Sequence, residues 1–454
     1  MKGWRKLAKD KITVREFIAP RYITRFHCLG SSCQDTCCGW WNVAVDEQHY
    51  RKLQKAMVVS DEMQDAFSRT FVRQDRGSGE EFANIRMGED GYCRFLSEDR
   101  LCGLHRDYGS DVLPNICALY PRMISLVGQR LELTGQLSCP ELARLCLLAD
   151  DSLDLMDFEP SILPRPQFFQ TLQSRSDNPY SWYFDDIRAT LMKLLSLEDY
   201  PLSSRFYFLL FFARQTVPFF FRSAESVDEE KLGSELNAIL HPGVIQDLHE
   251  LFISLPKTPG SEVMEAVQRI LVSRLQHDNC RPGYAKMIMN IFLSYEQELK
   301  GGMIEQSQPT IQLSLTPAEI LPAYLRRRDF WEKQMGKRIE RYFRNYSMNY
   351  ILKEWYTGWP DLVAYVRSLF IRVAAIRFLM YGQPRLLSMM RLDTPSRTLD
   401  EEGLVQALDD AAVQACYSFS RNLGHSPELN TRIEAILDDL ESSQPDSLAG
   451  ILNC

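Results

Sequence analysis

The placement of cysteine limits what this 454-residue chain can be more than any other feature. It contains twelve cysteines, and nine of them lie before residue 150. Those nine are Cys28, Cys33, Cys37, Cys38, Cys93, Cys102, Cys117, Cys139 and Cys146. A single cysteine usually serves as a small buried apolar side chain. That explanation suits the three scattered cysteines of the remaining chain, but it does not account for the cluster.

Composition and charge indicate a soluble protein of the cytoplasm. The N-terminus lacks the apolar core of a secretory signal, and the most apolar run, residues 206–213, is far shorter than the ~20 residues of a membrane span. We therefore expect no membrane association and, in a reducing compartment, no structural disulfides. The net charge of −8 argues against a protein built mainly to bind nucleic acid.

Clustered thiols in a reducing compartment are typical of a metal site. Thiolates are soft ligands for zinc and for iron–sulfur clusters, and four of them close a tetrahedral zinc site or hold a cubane cluster. The side chains of adjacent residues such as Cys37 and Cys38 tend to point apart. This favours a larger cluster, or separate roles for the two thiols, over a single zinc ion. Spacing alone leaves iron–sulfur and zinc open.

The chain divides into two parts with different sequence patterns, and we predict a mostly α fold. Residues 1–150 form an irregular, cysteine-rich metal-binding domain with short strands, and residues 151–454 form a larger all-helical domain, interpreted as substrate-binding. The first domain shows little continuous apolar pattern, so bound metal is expected to supply part of its stability.

Several elements of the first domain carry recognisable signals. Residues 40–45 read as a short strand. Asp46 and Ser60 are expected to cap the helices that follow them. Residues 123–135 resemble a hairpin that turns near Gly128, and Pro140 suits the first turn of a helix.

The second domain shows helical periodicity almost throughout. Residues 261–276 place apolar side chains on one stripe, and residues 361–382 and 403–424 read as long helices. Residues 206–221 are interpreted as a core helix. Residues 301–317 have the composition of a long loop.

Four cysteine-containing segments together resemble the flagellin lysine-N-methylase family, within a wider group that shares an iron- or zinc-chelating motif. They are "RFHCLGSSCQDTCCGWW", "CRFLSEDRLCGLH", "CALYPR" and "LSCPELA". The resemblance covers residues 22–146 and places eight cysteines on the pattern, with Cys146 outside it. It implies a 4Fe–4S cluster, with zinc as the alternative, S-adenosylmethionine as methyl donor, and flagellin lysines as acceptors.

The resemblance also ranks the metal ligands. The core of the shared motif consists of Cys33, Cys37, Cys38, Cys93, Cys102 and Cys117. Cys28 and Cys139 come second. A cubane binds four thiolates directly, so some of the six occupy other positions around the site.

Neither the donor site nor the proton acceptor is marked in the sequence. No strand–glycine–helix unit of the common methyltransferase type occurs. Cys33 and Cys37 have the first spacing of the C-x3-C-x2-C motif of radical S-adenosylmethionine enzymes, but position 40 is Trp40, which argues against that motif. No carboxylate or tyrosine stands out as the base that would deprotonate a lysine.

Two other functions are consistent with the sequence. A non-enzymatic protein-interaction module with structural metal is the main alternative to the methyltransferase. The segment Arg326–Arg344 carries eight Lys or Arg against three acidic residues. That composition suits a solvated helix face, a docking surface for an acidic partner or, less well, a nucleic-acid surface.

Overall fold

The structure is a computed structural model. It describes residues 14–75, 77, 79–165, 167, 169–172, 181–220, 229–255, 261–276, 280–300, 315–392, 401–424 and 428–443. Most of the long loop predicted over residues 301–317 lies outside the described residues. The chain forms two compact units. The first contains the residues up to Leu145 together with Asp154–Thr171, and the second contains Cys146–Leu153 together with the residues from Leu172 onward.

The first unit holds the cysteine-rich segments and both sheets. Its strands are β1 Glu16–Pro20, β2 Val43–Val45, β3 Phe71–Arg73, β4 Ala83–Ile85, β5 Arg122–Val127, β6 Arg130–Gly135, β7 Leu155–Asp157 and β8 Gln170–Leu172. Its helices, the last of which runs on into the second unit, are α1 Arg21–Thr24, α2 Glu47–Met57, α3 Asp61–Thr70, α4 Gly103–Tyr108, α5 Asn115–Leu119 and α6 Pro140–Leu148. One sheet has the order β7-β1-β6-β5-β8 and the other has the order β2-β4-β3.

Local signals in the sequence account for many of these bounds. Asp46 and Ser60 accept the backbone N–H groups of His49 and Met63, so both predicted caps are present. The predicted hairpin is β5 and β6, and Gly128 turns it with a φ of 57°. The strand predicted from residue 40 begins only at Val43, because the backbone before it turns sharply.

The first unit has a more extensive apolar core than its sequence pattern indicated. Side chains from β2, β3 and β4 pack against α2 and α3, with Tyr50, Phe67 and Phe71 at the centre. The rings of Phe67 and Phe71 stack with centroids 4.5 Å apart. The expectation of little continuous core is therefore wrong, because its apolar residues come from short segments far apart in the chain.

The second unit is helical throughout the part that the structure describes. Its helices are α7 Phe184–Leu195, α8 Leu202–Phe220, α9 Glu229–Ala238, α10 Pro242–Ser254, α11 Ser261–Ser273, α12 Pro282–Lys300, α13 Pro317–Lys353, α14 Leu362–Tyr381, α15 Pro384–Leu392, α16 Glu401–Asn422 and α17 Glu428–Ser443. Every strand found in the described ranges lies before residue 173, and the predicted fold class is confirmed. Among the described residues, no helix is both long and apolar enough to cross a membrane.

Helix α14 lies at the centre of this unit. It packs against α8, α11, α13, α16 and α17, and most of its side chains are buried. Asp361 caps its start by accepting the N–H of Ala364 at 2.7 Å. A helix that is apolar on nearly all sides is expected in the interior of a helical domain, which is what the sequence of residues 361–382 predicted.

The arginines of the basic segment Arg326–Arg344 are largely used inside the protein. Arg327 is fully buried and binds Glu298 at 2.7 Å, and Arg338 binds Asp409 at 2.6 Å. Arg344 pairs with Glu198. Such pairing leaves little free positive charge on this segment, so it favours a structural role over a docking or nucleic-acid surface.

Candidate metal centre

The first cysteine loop is tied to the loop before Cys93. The backbone N–H of Cys93 donates to the carbonyl of Cys38 at 2.9 Å, and that of Trp40 donates to Gly91 at 2.7 Å. Trp40 has a φ of 63°, and its ring lies edge-on to Tyr92 with centroids 6.4 Å apart. A Cβ at Gly91 would stand 2.5 Å from the Trp40 ring. Glycine is therefore required where these two loops meet.

A tight loop then brings Cys102 back toward Cys93. The N–H of Leu96 donates to the carbonyl of Cys93 at 2.9 Å, and Leu96 forms a bridge pair with Cys102. The N–H of Gly103 donates to Phe95 at 2.7 Å as α4 begins. Both thiols are half-buried and pack against the apolar core of the unit.

Cys117 lies on the short helix α5, and Arg165 fixes the chain before it. The Arg165 guanidinium donates to the carbonyl of Leu113 at 2.5 Å, to Asn115 Oδ1 at 3.0 Å and to the carbonyl of Ser110 at 2.7 Å. One planar side chain thus holds three points of the segment that leads to Cys117.

Trp41 links the first cysteine loop to the segment after Cys117. Its indole N–H donates to the carbonyl of Cys37 at 2.7 Å, and its ring lies 6.3 Å from that of Tyr120. The Tyr120 hydroxyl is 3.1 Å from Ser138 Oγ. Three cysteine segments therefore meet around one aromatic pair.

Electrostatic effects indicate which thiols lie near one another. Burial raises the pKa of Cys93, and the thiols of Cys102 and Cys37 raise it further. Burial likewise raises the pKa of Cys117. The same three thiols add to that rise, whereas the positive charge of Arg165 lowers this pKa. These four cysteines form what we call the four-thiol group.

Cys117 is an exposed residue, but its thiol is largely removed from water. Its side chain is exposed by area, yet protein atoms surround the thiol closely enough for burial to dominate the rise in its pKa. Of the other three thiols in the group, Cys37 belongs to an exposed residue, whereas Cys93 and Cys102 are half-buried.

The structure places the other predicted ligands differently. The Cys33 thiol donates to the carbonyl of Asp35 at 3.2 Å, and Cys38 contributes its carbonyl to the contact with Cys93. Cys28 and Cys139 lie near Arg122, whose guanidinium pKa is lowered by burial and raised by these two thiols. The eight motif cysteines are thus not one uniform set.

All eleven cysteines of the described residues stand as thiols rather than in disulfides. Within that same part of the chain, no three His, Cys, Asp or Glu side chains are drawn close enough to hold a single metal ion. By chemistry, the four-thiol group fits a soft metal centre, since it offers four sulfur donors and a neighbouring cation.

The histidines near the motif do not complete this group. His27 Nδ1 lies 3.0 Å from the carbonyl of Arg25, and both His27 and His105 are exposed. His49 is buried, with Nδ1 2.7 Å from each carboxylate oxygen of Asp46. Asp46 also accepts the N–H of Asn115 at 3.4 Å, which joins the start of α2 to the start of α5.

Arg165 is the residue at this centre that the sequence did not reveal. It lies 48 residues after Cys117 in a segment without cysteine or any motif. Only the fold brings it to the four-thiol group. A lone arginine in an irregular segment offers no signal that a single sequence would expose.

Two family models match the chain. "FliB lysine N-methylase C-terminal domain" matches residues 188–452. "Putative zinc- or iron-chelating domain" matches residues 27–141. The first covers more than half of the chain and lies in its helical part, outside the segments that carry the resemblance. Together the two matches confirm the family resemblance drawn from the cysteine segments.

Relatives from Salmonella are similar to part of the chain. A lysine-N-methylase of Salmonella typhimurium is 27% identical over 148 residues, which is 32% of this chain and 35% of that protein. The flagellar biosynthetic protein FliU of Salmonella muenchen is 29% identical over 150 residues, 32% of this chain and 83% of that protein. The match thus spans about a third of the lysine-N-methylase. No solved structure matches the chain.

Proposed function

Because the chain belongs to the FliB lysine N-methylase family, we propose that it is a protein-lysine N-methyltransferase that acts on flagellin in the cytoplasm and uses S-adenosylmethionine as the methyl donor. The observation that carries the proposal is the family match over the helical region, residues 188–452. The names of the Salmonella relatives, a lysine-N-methylase and a flagellar biosynthetic protein, support the activity and the flagellar target.

We propose further that Cys37, Cys93, Cys102 and Cys117 hold a 4Fe–4S cluster, with zinc as the alternative metal. The mutual effects of these thiols on their pKa values support this choice among the motif cysteines. Cys33 and Cys38 then shape the loop rather than bind metal. A bound cluster would supply a redox-capable centre and a covalent link among three loops.

The residues of the chain itself have defined tasks around such a centre. Arg165 holds the segment before Cys117 and places a positive charge beside four thiolates, which offsets part of their repulsion. Trp41 joins the loop of Cys37 to Tyr120, which follows Cys117 by three residues. The hydrogen bond between Cys93 and Cys38, together with the glycine required at Gly91, fixes the backbone from which these cysteine side chains project.

Methyl transfer makes two demands on the substrate site. The acceptor lysine must lose its proton, since a free lysine has a pKa of about 10.4, and its nitrogen must align behind the donor methyl at about 3 to 3.5 Å. Water, a carboxylate or a tyrosine hydroxyl can take the proton. We propose that the helical unit provides the groove in which the flagellin lysine is held.

Anaerobic methylation of purified flagellin tests the proposal. The protein is incubated with S-adenosylmethionine and flagellin, and lysine-containing peptides are weighed. We expect increments of one methyl group on lysine, which disappear when S-adenosylmethionine is omitted. Unmodified flagellin after incubation with metal-loaded protein would refute the enzyme. If the protein nevertheless bound flagellin, the result would favour the non-enzymatic interaction module.

A further inference from the structure

Arg122 is a partly buried cation for which no side-chain hydrogen bond or ion pair to another described residue is seen. Its Nε–H is buried and has no hydrogen bond within the described part of the chain, and the structure records no carboxylate against this guanidinium. Other arginines with an unbonded Nε are different, since Arg21 and Arg341 bind Asp154 and Asp150 through another nitrogen. A buried donor left without an acceptor is costly.

The surroundings of Arg122 suit an anion that arrives from outside. Its guanidinium carbon lies 4.9 Å from the centroid of the buried Phe26 ring. A guanidinium stacked on a ring keeps its in-plane N–H groups free for a planar acceptor. The neighbouring thiols belong to Cys28, which is exposed, and Cys139, which is buried.

A short run of sequence and contacts connects Arg122 to the candidate metal centre. Arg122 follows Tyr120 by two residues, and Tyr120 packs on Trp41, whose indole N–H donates to the carbonyl of Cys37. Tyr120 also contacts Ser138, the neighbour of Cys139. Arg122 is thus two residues from an aromatic pair that contacts the Cys37 loop.

The reactants of the proposed reaction narrow the choice of anion. S-adenosylmethionine carries a free carboxylate at its amino-acid end and has no phosphate, so the carboxylate is its anionic group. A planar carboxylate can accept two parallel N–H bonds from a guanidinium. We propose that Arg122 binds the α-carboxylate of the methyl donor, with Phe26, Cys28 and Cys139 lining that end of the donor site. This inference rests on the proposed function, which supplies the donor.

Two ligands that differ at the carboxylate test the inference. S-adenosylhomocysteine keeps the amino-acid end of the donor, whereas 5′-methylthioadenosine lacks it. Calorimetry is performed anaerobically on the full chain and on Arg122→Met, Arg122→Lys and Arg144→Met. Arg144 is an exposed arginine of the same unit that pairs with Glu141, so it serves as the matched control. Iron content is measured for every variant.

We expect Arg122→Met to weaken S-adenosylhomocysteine binding about tenfold or more, because a charge-assisted hydrogen bond is lost. Binding of 5′-methylthioadenosine and iron content should not change. For Arg122→Lys we expect an affinity for S-adenosylhomocysteine between those of the wild type and Arg122→Met. Lysine keeps the positive charge but lacks the planar pair of N–H donors of a guanidinium. If Arg122→Met does not fold, the same selective loss is expected in Arg122→Lys.

Two results would overturn the inference while leaving the proposed function in place. One is wild-type affinity for S-adenosylhomocysteine in both Arg122 variants. The other is an equal loss of both ligands, which would show a structural role. A wild-type protein that binds neither ligand would instead refute the proposed donor, and this inference would fail with it.

Discussion

Replacement of Arg165 by methionine tests how the candidate metal centre is held together. The substitution keeps an unbranched apolar stem but removes every hydrogen bond of the guanidinium. Those bonds reach the carbonyls of Leu113 and Ser110 and the Asn115 side chain. They fix the segment that leads into Cys117. We therefore expect a local loss of stability around α5.

The magnitude follows from the environment of each bond. The bonds to Leu113 and Asn115 are partly buried, and a hydrogen bond from a charged group contributes about 1.5 kcal/mol or more to stability. The bond to Ser110 is exposed, so water replaces most of it. The sum is about 3 kcal/mol, or roughly a hundredfold in the opening equilibrium.

Hydrogen exchange followed by mass spectrometry measures this opening where it occurs. Amides of residues 110–119 should exchange roughly a hundredfold faster in Arg165→Met, under conditions where exchange reports the opening equilibrium. Arg165→Lys should show a smaller effect, and Arg144→Met should show none. Exchange of residues 110–119 at the wild-type rate in Arg165→Met would refute the reasoning that this side chain anchors Cys117.

Three further changes probe other parts of the account. Asn345→Ala removes the amide that donates to the carbonyls of Cys146 and Ala149, each at 3.0 Å. The free energy of unfolding of the helical unit in urea should fall by about 2 to 4 kcal/mol. An unchanged urea midpoint would contradict this. Gly91→Ala places a Cβ against the Trp40 ring at a residue whose φ is 78°. It should lower the free energy of unfolding by about 1 to 3 kcal/mol, measured by thermal unfolding, and lower the metal content, measured by metal analysis. Burial lowers the pKa of His49 in the folded state, so the unfolded state binds the proton more readily, and stability should fall as pH drops below about 6.5. His49→Gln should flatten the dependence between pH 7 and 5, and a slope as steep as that of the wild type would exclude His49 as its source.

The sequence predicted the elements whose causes are local. The caps at Asp46 and Ser60 and the turn at Gly128 each depend on residues a few positions apart, and all three are present. The long helix from Leu362 was predictable because an apolar run of that length in a helical domain usually forms a buried helix.

What the sequence could not reveal depends on contacts between distant segments. The left-handed turn at Trp40 exists because its ring packs over Gly91, and no residue near position 40 signals it. The core around Tyr50 and Phe67 is assembled from short strands and helices that look weak one at a time. The division of the cysteines into the four-thiol group and the pair beside Arg122 likewise arises only from the fold.

Elemental analysis of anaerobically purified protein tests the central claim most directly. We predict about four iron atoms and matching sulfide per chain for the wild type. The cluster should be lost in serine variants of each member of the four-thiol group, and it should be retained in Cys28→Ser and Cys139→Ser. Iron retained after Cys117→Ser, or iron lost from Cys28→Ser as readily as from Cys117→Ser, would contradict the assignment.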